Sequence, residues 1–340
     1  MPSNPRSRFT QFRQKNGQPD QVQQLRADLL DESTLSTSYL VLIVGSCAIA
    51  TFGLLSNSAA VIIGAMIIAP LMLPIRGLAF GALAGDLRLF RKGAIAVTVG
   101  TLLAIVISSL LGLLVGIPSY GSEVLARSEP TLLDLGIAVT AGAISGYAKA
   151  EPKISGTLAG TAIAVALMPP VCVIGLGLSQ GNSSLSLGAT LLYLTNLLGI
   201  TLSCTLTFLL VGYAPFKRAQ KALVWMLVLT SVLIVPLGVS FVKLVRQAQL
   251  ETSLKQALLD RTVTFQRMEL LKIQTEWLMT PPEVYLSVRA KENVTPRQVQ
   301  LLEEFIEQEI GKPFTLIFEV NQVEEVRRQE APASLSKPKP

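Results

Sequence analysis

The sequence predicts an all-α polytopic membrane bundle of about seven transmembrane helices. It carries an inverted three-plus-three repeat with proline-broken helices, and a small C-terminal α+β module follows. Three observations lead there. Half of the 340 residues are hydrophobic, and several apolar runs reach the roughly 20 residues a helix needs to cross a hydrocarbon core. Two of these runs repeat each other at a constant offset. After Arg246 the apolar runs give way to an amphipathic pattern and then to strand-like alternation.

The expected spans are 39 to 55, 58 to 84, 94 to 117, 132 to 149, 154 to 178, 187 to 213 and 222 to 245. The first apolar run begins at Tyr39 after a polar tail, and no small-residue cleavage site follows it. The start is therefore read as a tail and not as a removable signal peptide. The domain plan is a basic segment at 1–38, a transmembrane domain at 39–245, an amphipathic helix with a β-α-β module at 246–330, and a disordered tail at 331–340. Within the transmembrane domain the repeat units are about 39–117 and 132–213, with 222–245 as an extra span.

The repeat is ungapped. Gly64 to Gly116 aligns with Gly160 to Gly212, and 14 of the 53 paired positions are identical. Leu71, Met72 and Pro74 fall on Leu167, Met168 and Pro170; Gly81 falls on Gly177 and Gly85 on Gly181. Carried backwards, the register pairs the first three spans with the next three. A unit of three crossings enters the second time from the opposite face, so the repeat is expected to be inverted, as in many secondary transporters. Segment 58 to 84 is too long for one straight crossing. Pro70 and Pro74 remove backbone donors within it, as Pro169 and Pro170 do within 154 to 178. Freed carbonyls at membrane depth are tolerated where protein or a water-lined cavity satisfies them. The point where the two broken helices meet near mid-membrane is the expected site.

Charge sets the orientation. In the N-terminal tail and the short loops, thirteen Lys and Arg fall on one side, and Arg127 is alone on the other. The positive-inside rule then places the N-terminus in the cytoplasm and, with an odd span count, the C-terminal module outside. If 58 to 84 re-enters, the side of that module reverses. The net charge of +6 and the pI near 9.3 follow from those loops and suit anionic lipid, not nucleic acid.

Candidate path residues gather at the proline motifs: Asn57, Ser58, Met66, Pro70, Met72, Pro74, Arg76, Met168, Pro169, Pro170, Cys172 and Asn196. Arg76 is the only charge between Ser33 and Gly85. Its two readings are an anion-attracting or gating group and an arginine snorkelling to lipid phosphate. Gly64, Gly81, Gly160 and Gly177 are expected to let helices pack closely. Met66, Met72, Met168 and Cys172 read as packing groups and not as a soft-metal site. The chain has no histidine, and no P-loop, Rossmann or serine-elbow pattern, so neither cofactor nor enzymatic activity is expected. Cys47, Cys172 and Cys204 all fall inside spans and require no disulfide. Asp134, Lys149, Glu151 and Lys153 read as loop charges, with an ionic cluster at an entrance as the alternative.

In the C-terminal region, residues 247 to 278 read as one amphipathic helix with Leu250, Leu254, Leu258, Phe265, Met268 and Leu271 near one face. Two strands, 284–288 and 314–320, flank a helix from Thr295 to Ile310. A β-α-β unit of this size buries little core alone, so packing on the long helix or on other copies, as a homo-oligomer, is expected.

The strings from Leu55-Ser-Asn57 to Pro70-Leu-Met72, from Gly160 to Met168-Pro-Pro170, and Asn196-Leu-Leu-Gly199-Ile resemble the family catalogued as domain of unknown function 389, over about residues 36 to 213. The resemblance implies a multi-span prokaryotic membrane protein, hence a plasma-membrane location, and implies no chemistry. The residues point to a transporter or channel for a small solute, with an anion among the candidates. The alternative is a non-transporting scaffold or sensor that presents the C-terminal module.

Overall fold

The computed structural model describes residues 14, 16–116, 120–151, 167–214, 216–261, 268–276, 281–290 and 294–322. The chain divides into two compact units, Met1–Val242 and Lys243–Pro340.

The first unit is helical. Its elements are α1 (Pro19–Glu32), α2 (Thr37–Leu55), α3 (Ala59–Ile68), α4 (Met72–Ala84), α5 (Leu87–Val115), the short α6 (Ser122–Leu125), α7 (Leu132–Ala150), α8 (Met168–Ser179), α9 (Ser183–Val211) and the first part of α10 (Phe216–Arg261). Among the described residues, four helices are long and apolar enough to cross a membrane: α2, α5, α9 and Leu223–Val242 of α10. The pair α3–α4 makes a fifth if it is one span. The chain is thus a helical membrane protein, and its described residues hold fewer qualifying spans than the seven expected. The shortfall has local causes. In α7, Asp134, Lys149 and three glycines dilute the apolar run, and α8 has 12 residues, about 18 Å of helix. Residues 154–166 of the expected fifth span, Gly160 among them, lie outside the described residues.

The break expected at the first proline motif is present: α3 and α4 meet at 53°. Pro70 has no N–H to continue α3, and its carbonyl accepts instead from Leu73 N at 3.1 Å. In the second motif Pro169 and Pro170 lie in the first turn of α8, where a missing donor costs nothing.

Local geometry follows the 96-residue register. Helices α5 and α9 are each 29 residues long and start and stop at aligned positions. Each follows a left-handed glycine, Gly85 (φ 70°) or Gly181 (φ 67°), and each has a side-chain cap. Asp86 accepts from Arg88 N and Leu89 N, and Asn182 accepts from Leu185 N. A Cβ on Gly81 would lie 2.5 Å from Phe90 N, and one on Gly177 would lie 3.0 Å from Ser186 N, the aligned position.

Small residues set the helix contacts. Helix α7 lays Ala138, Gly142 and Gly146, four residues apart, against α9. A side chain at Gly142 would collide with the Ile200 carbonyl, and a Cβ at Gly146 would lie 3.0 Å from Thr207 Cβ. Helix α8 meets α5 in the same way, with Gly175 within 2.6 Å of the Ile105 carbonyl by the same measure. Ser109 Oγ donates to Gly175 O at 3.0 Å. At Gly64 a Cβ would meet nothing among the described residues. Helices α2 and α8 bring Cys47 and Cys172 together, Sγ to Sγ 3.7 Å, both buried. Cys47 Sγ also donates to Ala104 O.

The second unit has its own core. Leu254 and Leu258, in the last turns of α10, pack with Val284, Leu286, Val288, Leu302, Ile306, Phe314 and Leu316. Its sheet has three strands in the order β1 (Met268–Glu276), β2 (Glu283–Ala290), β3 (Thr315–Gln322). Strand β2 is antiparallel to β1 and parallel to β3, and α11 (Pro296–Ile310) crosses between β2 and β3. Thr295 and Gln298 form a capping box at the start of α11, and left-handed Gly311 ends it. Strand β1 corrects the expectation of a helix running to 278 and adds an antiparallel strand to the β-α-β arrangement of β2, α11 and β3. The ladder shifts between Leu270 and Lys272, leaving Leu271 as an added residue that breaks the period of two and imitates helical spacing.

The contact of α2 with α8 is open to test. In a Cys204→Ser variant, a membrane-permeant oxidant should remove both remaining thiols from labelling by a mass-tagged maleimide after denaturation. Two labels per chain after oxidation would mean that these helices do not meet.

Candidate functional site

Charged side chains of the first unit collect at two opposite ends. Helix α7 joins them: Asp134 lies in its first turn and Lys149 in its last, about 22 Å apart along the axis. The two are therefore not one ionic cluster, and Lys153 lies outside the described residues.

At the Asp134 end is a cavity of about 330 Å³. Its walls are Met66 from α3, Glu123, Ala126 and Arg127 from α6 and the turn after it, Asp134 and Ile137 from α7, Pro170 from α8, and Leu192 and Asn196 from α9. Three of the expected path residues, Met66, Pro170 and Asn196, thus share one space. All three are buried. They come from three helices, and both proline motifs contribute to the wall.

The mouth is charged. Arg127 Nη1 donates to Glu123 Oε2 at 2.8 Å and also to the Glu123 carbonyl. Asp134 Oδ2 accepts from Thr131 N at 2.7 Å and Thr131 Oγ1 at 2.8 Å, closing a capping box on α7. Two carboxylates and one guanidinium leave this wall with one net negative charge.

Asn57 acts on this mouth from outside it. It occupies the left-handed region (φ 51°) at the turn between α2 and α3, and its Oδ1 accepts from Glu123 N at 2.9 Å and from Ser122 Oγ at 3.3 Å. The asparagine therefore caps α6 across the fold and sets where Glu123 and, one turn on, Arg127 stand. Ser58 is the N-cap residue of α3. Met72, Pro74, Met168 and Pro169 are buried in packed helices, Pro70 is buried at the break between α3 and α4, and Cys172 faces Cys47. None of these six is among the cavity-lining residues.

Arg76 lies at the other end. Its Nη2 is 3.7 Å from Glu32 Oε2. Lys149 Nζ meets the same carboxylate at 2.8 Å and Asp28 at 3.6 Å. Helix α1 thus rests on this end of the bundle, with Arg26 paired to Asp86 and Leu25 and Leu29 packed with Phe80, Leu83, Leu89 and Phe208. Ser33, just past α1, packs directly against Gly77. Sequence reasoning missed Glu32, Glu123 and the pairing of Lys149. The available signals were the four-residue spacing of Glu123 and Arg127, and the isolation of Arg127 as the basic residue of its side.

Residues 66–202 match a family model, and all nine cavity-lining residues fall within that stretch. The family is the one described as Domain of unknown function (DUF389). The DUF389 match starts at Met66, inside the 36 to 213 expected from the sequence strings, so Asn57, Ser58 and α1 precede it. The second unit lies after it. A protein of Methanocaldococcus jannaschii named Uncharacterized protein MJ0678 is 29% identical over 191 residues, which cover 56% of this chain and 59% of that relative. The chain therefore spans less than two thirds of the relative's length. No solved structure matches the chain.

Two outcomes follow from this geometry. Asn57→Ala loses the cap on α6 and places alanine in the left-handed region, so thermal unfolding in detergent should show a loss of about 1–2 kcal/mol. The hydrogen bond from Arg26 holds the Asp86 carboxyl below the usual carboxylate range. A depressed folded pKa gives stability that is present above the unfolded value, about 3.9, and lost as pH falls through the folded one. Hydrogen exchange over residues 19–32 should therefore rise on acidification in the wild-type protein. In Asp86→Asn it should be raised already at neutral pH and change less.

Proposed function

We propose that the first unit is a transporter or channel for a small solute, with the cavity at Glu123, Arg127, Asp134 and Asn196 as its binding site or vestibule. One observation carries the reading: a polar-mouthed cavity is built from α3, α6, α7, α8 and α9, and its wall includes a residue from each proline motif. Its volume is at the lower end of the range for small-molecule sites. The balance of two carboxylates against one guanidinium favours a cationic or zwitterionic solute over the anion that Arg76 alone suggested. No enzymatic step is part of this reading.

An inverted repeat belongs to the same proposal. Helix α5 starts beside α1, where Asp86 meets Arg26, and runs toward the cavity end. Its aligned counterpart α9 starts at the cavity end, where Gly188 abuts the Ser128 carbonyl, and finishes where Phe208 joins the α1 cluster. Opposite directions in aligned helices support two units related by an axis in the membrane plane. The seven-crossing topology, with α7 and the segment leading into α8 as further crossings, goes with it. So do an α1 end in the cytoplasm of a prokaryote and self-association of the chain. The scaffold reading draws support from the separate core of the second unit.

The test is water access. Asn196→Cys, in a variant lacking the three native cysteines, should react with a membrane-impermeant maleimide from the face that carries Glu123. A folded protein protected from that face would defeat the vestibule assignment.

A further inference from the structure

We infer that helix α1 is a latch that closes the end of the path opposite the cavity, with Glu32 as its catch. The inference rests on the transport reading above. Glu32 is the shared counter-ion of Arg76 on α4 and Lys149 on α7. Arg76 belongs to the first repeat unit and Lys149 to the second, so one carboxylate on a third element ties the two units together. Any motion of one unit against the other must break one of these pairs or carry α1 with it.

The contacts of α1 suit release. Within the helix, Leu25 and Leu29 are the buried residues, a small apolar footing for 14 residues. The rest of its hold is ionic: Arg26 to Asp86, Asp28 and Glu32 to Lys149, and Glu32 to Arg76. Just past the helix, Lys92 Nζ donates to Thr34 Oγ1 at 3.2 Å. Arg26 and Asp28 are about half exposed, and exposed ion pairs contribute little net stability because water replaces them readily.

The catch itself is incompletely satisfied. Glu32 Oε2, Arg76 Nε and Ser33 Oγ are buried and have no hydrogen-bond partner among the described residues. Buried polar groups without partners raise the free energy of the closed arrangement relative to one that water can enter. The Arg76 pair at 3.7 Å is a loose contact that geometry does not lock. A carboxylate held at 2.8 Å by Lys149 and only loosely by Arg76 can let go of Arg76 without unfolding either repeat unit.

This assigns Arg76 a role different from attracting an anion. It is a positioning residue of the latch, and it lies at the end of the bundle away from the cavity wall. Neutralising Glu32 leaves Arg76 without its carboxylate and Lys149 with Asp28 alone, which removes the tie between the two repeat units and favours the open state.

The Asn196→Cys reporter reads both proposals. With the native latch it is expected to react with an impermeant maleimide from the Glu123 face and not from the α1 face. In Glu32→Gln, the labelling rate from the α1 face, measured in vesicles of the opposite orientation, should rise about tenfold or more, as expected when one member of a partly buried ion triad is neutralised. The charge-exchanged variant Glu32→Lys, Arg76→Glu, Lys149→Glu, combined with Asp28→Asn so that no carboxylate faces the new one at 149, should return that rate toward the native value. Ile137→Cys, on another helix of the same cavity wall, serves if Asn196→Cys does not fold. Labelling from the Glu123 face with no gain from the α1 face in Glu32→Gln would overturn the latch and leave the vestibule standing. Protection from both faces in every folded variant would overturn both.

Discussion

Close approach of helix backbones at small residues is the constraint on which the rest of this structure depends. In hydrocarbon, apolar side chains gain nothing by leaving lipid for one another, so helices associate through van der Waals fit and a few hydrogen bonds. Gly142 and Gly146 let α7 lie on α9, and Gly175 lets α8 lie on α5. The serines at these crossings bond to neighbouring backbone: Ser108 to Ala104 O and Ser109 to Gly175 O. Because α7 is fixed along α9, its two ends stand at opposite ends of the bundle, and Asp134 and Lys149 are held apart.

That separation divides the work. At one end, Glu123, Arg127 and Asp134 rim a cavity whose inner wall is Met66, Pro170, Leu192 and Asn196. At the other, Glu32 draws Arg76 and Lys149 under a helix with little apolar anchorage. The proline motifs stand between. Pro70 bends α3 against α4 by 53°, which places Met66 on the cavity and Arg76, two turns past the break, under α1. One local defect in a helix thus sends its two halves to different ends of the candidate path.

How much was legible varies by element, for physical reasons. The register of 96 residues marks the capped starts and glycine ends of α5 and α9, because left-handed glycines and Asp or Asn caps are local chemistry. The Pro70 break is local for the same reason. The cavity was half legible: Met66, Pro170 and Asn196 come from the motif and a mid-helix polar residue, but nothing in their spacing puts Arg127 or Asp134 beside them. Arg76 was conspicuous as an intramembrane charge, and its partner was not, since Glu32 is 44 positions away on a helix outside the apolar region. Leu271 misled the reading of the C-terminal region because a bulge adds a residue to one strand and turns a period of two into something near 3.6.

The sequence by itself determined the class, a helical membrane protein with a repeated proline-broken motif and a distinct C-terminal unit, because hydropathy, glycine and proline act within a few residues. Tertiary structure decided which distant charges meet. Asp86 takes Arg26, Glu32 takes Arg76 and Lys149, and Glu123 takes Arg127 under the cap supplied by Asn57. Three of those four ion pairs join residues that are 44 or more positions apart. Their partners are set by where packed helices end in space, and no periodicity in the chain encodes that.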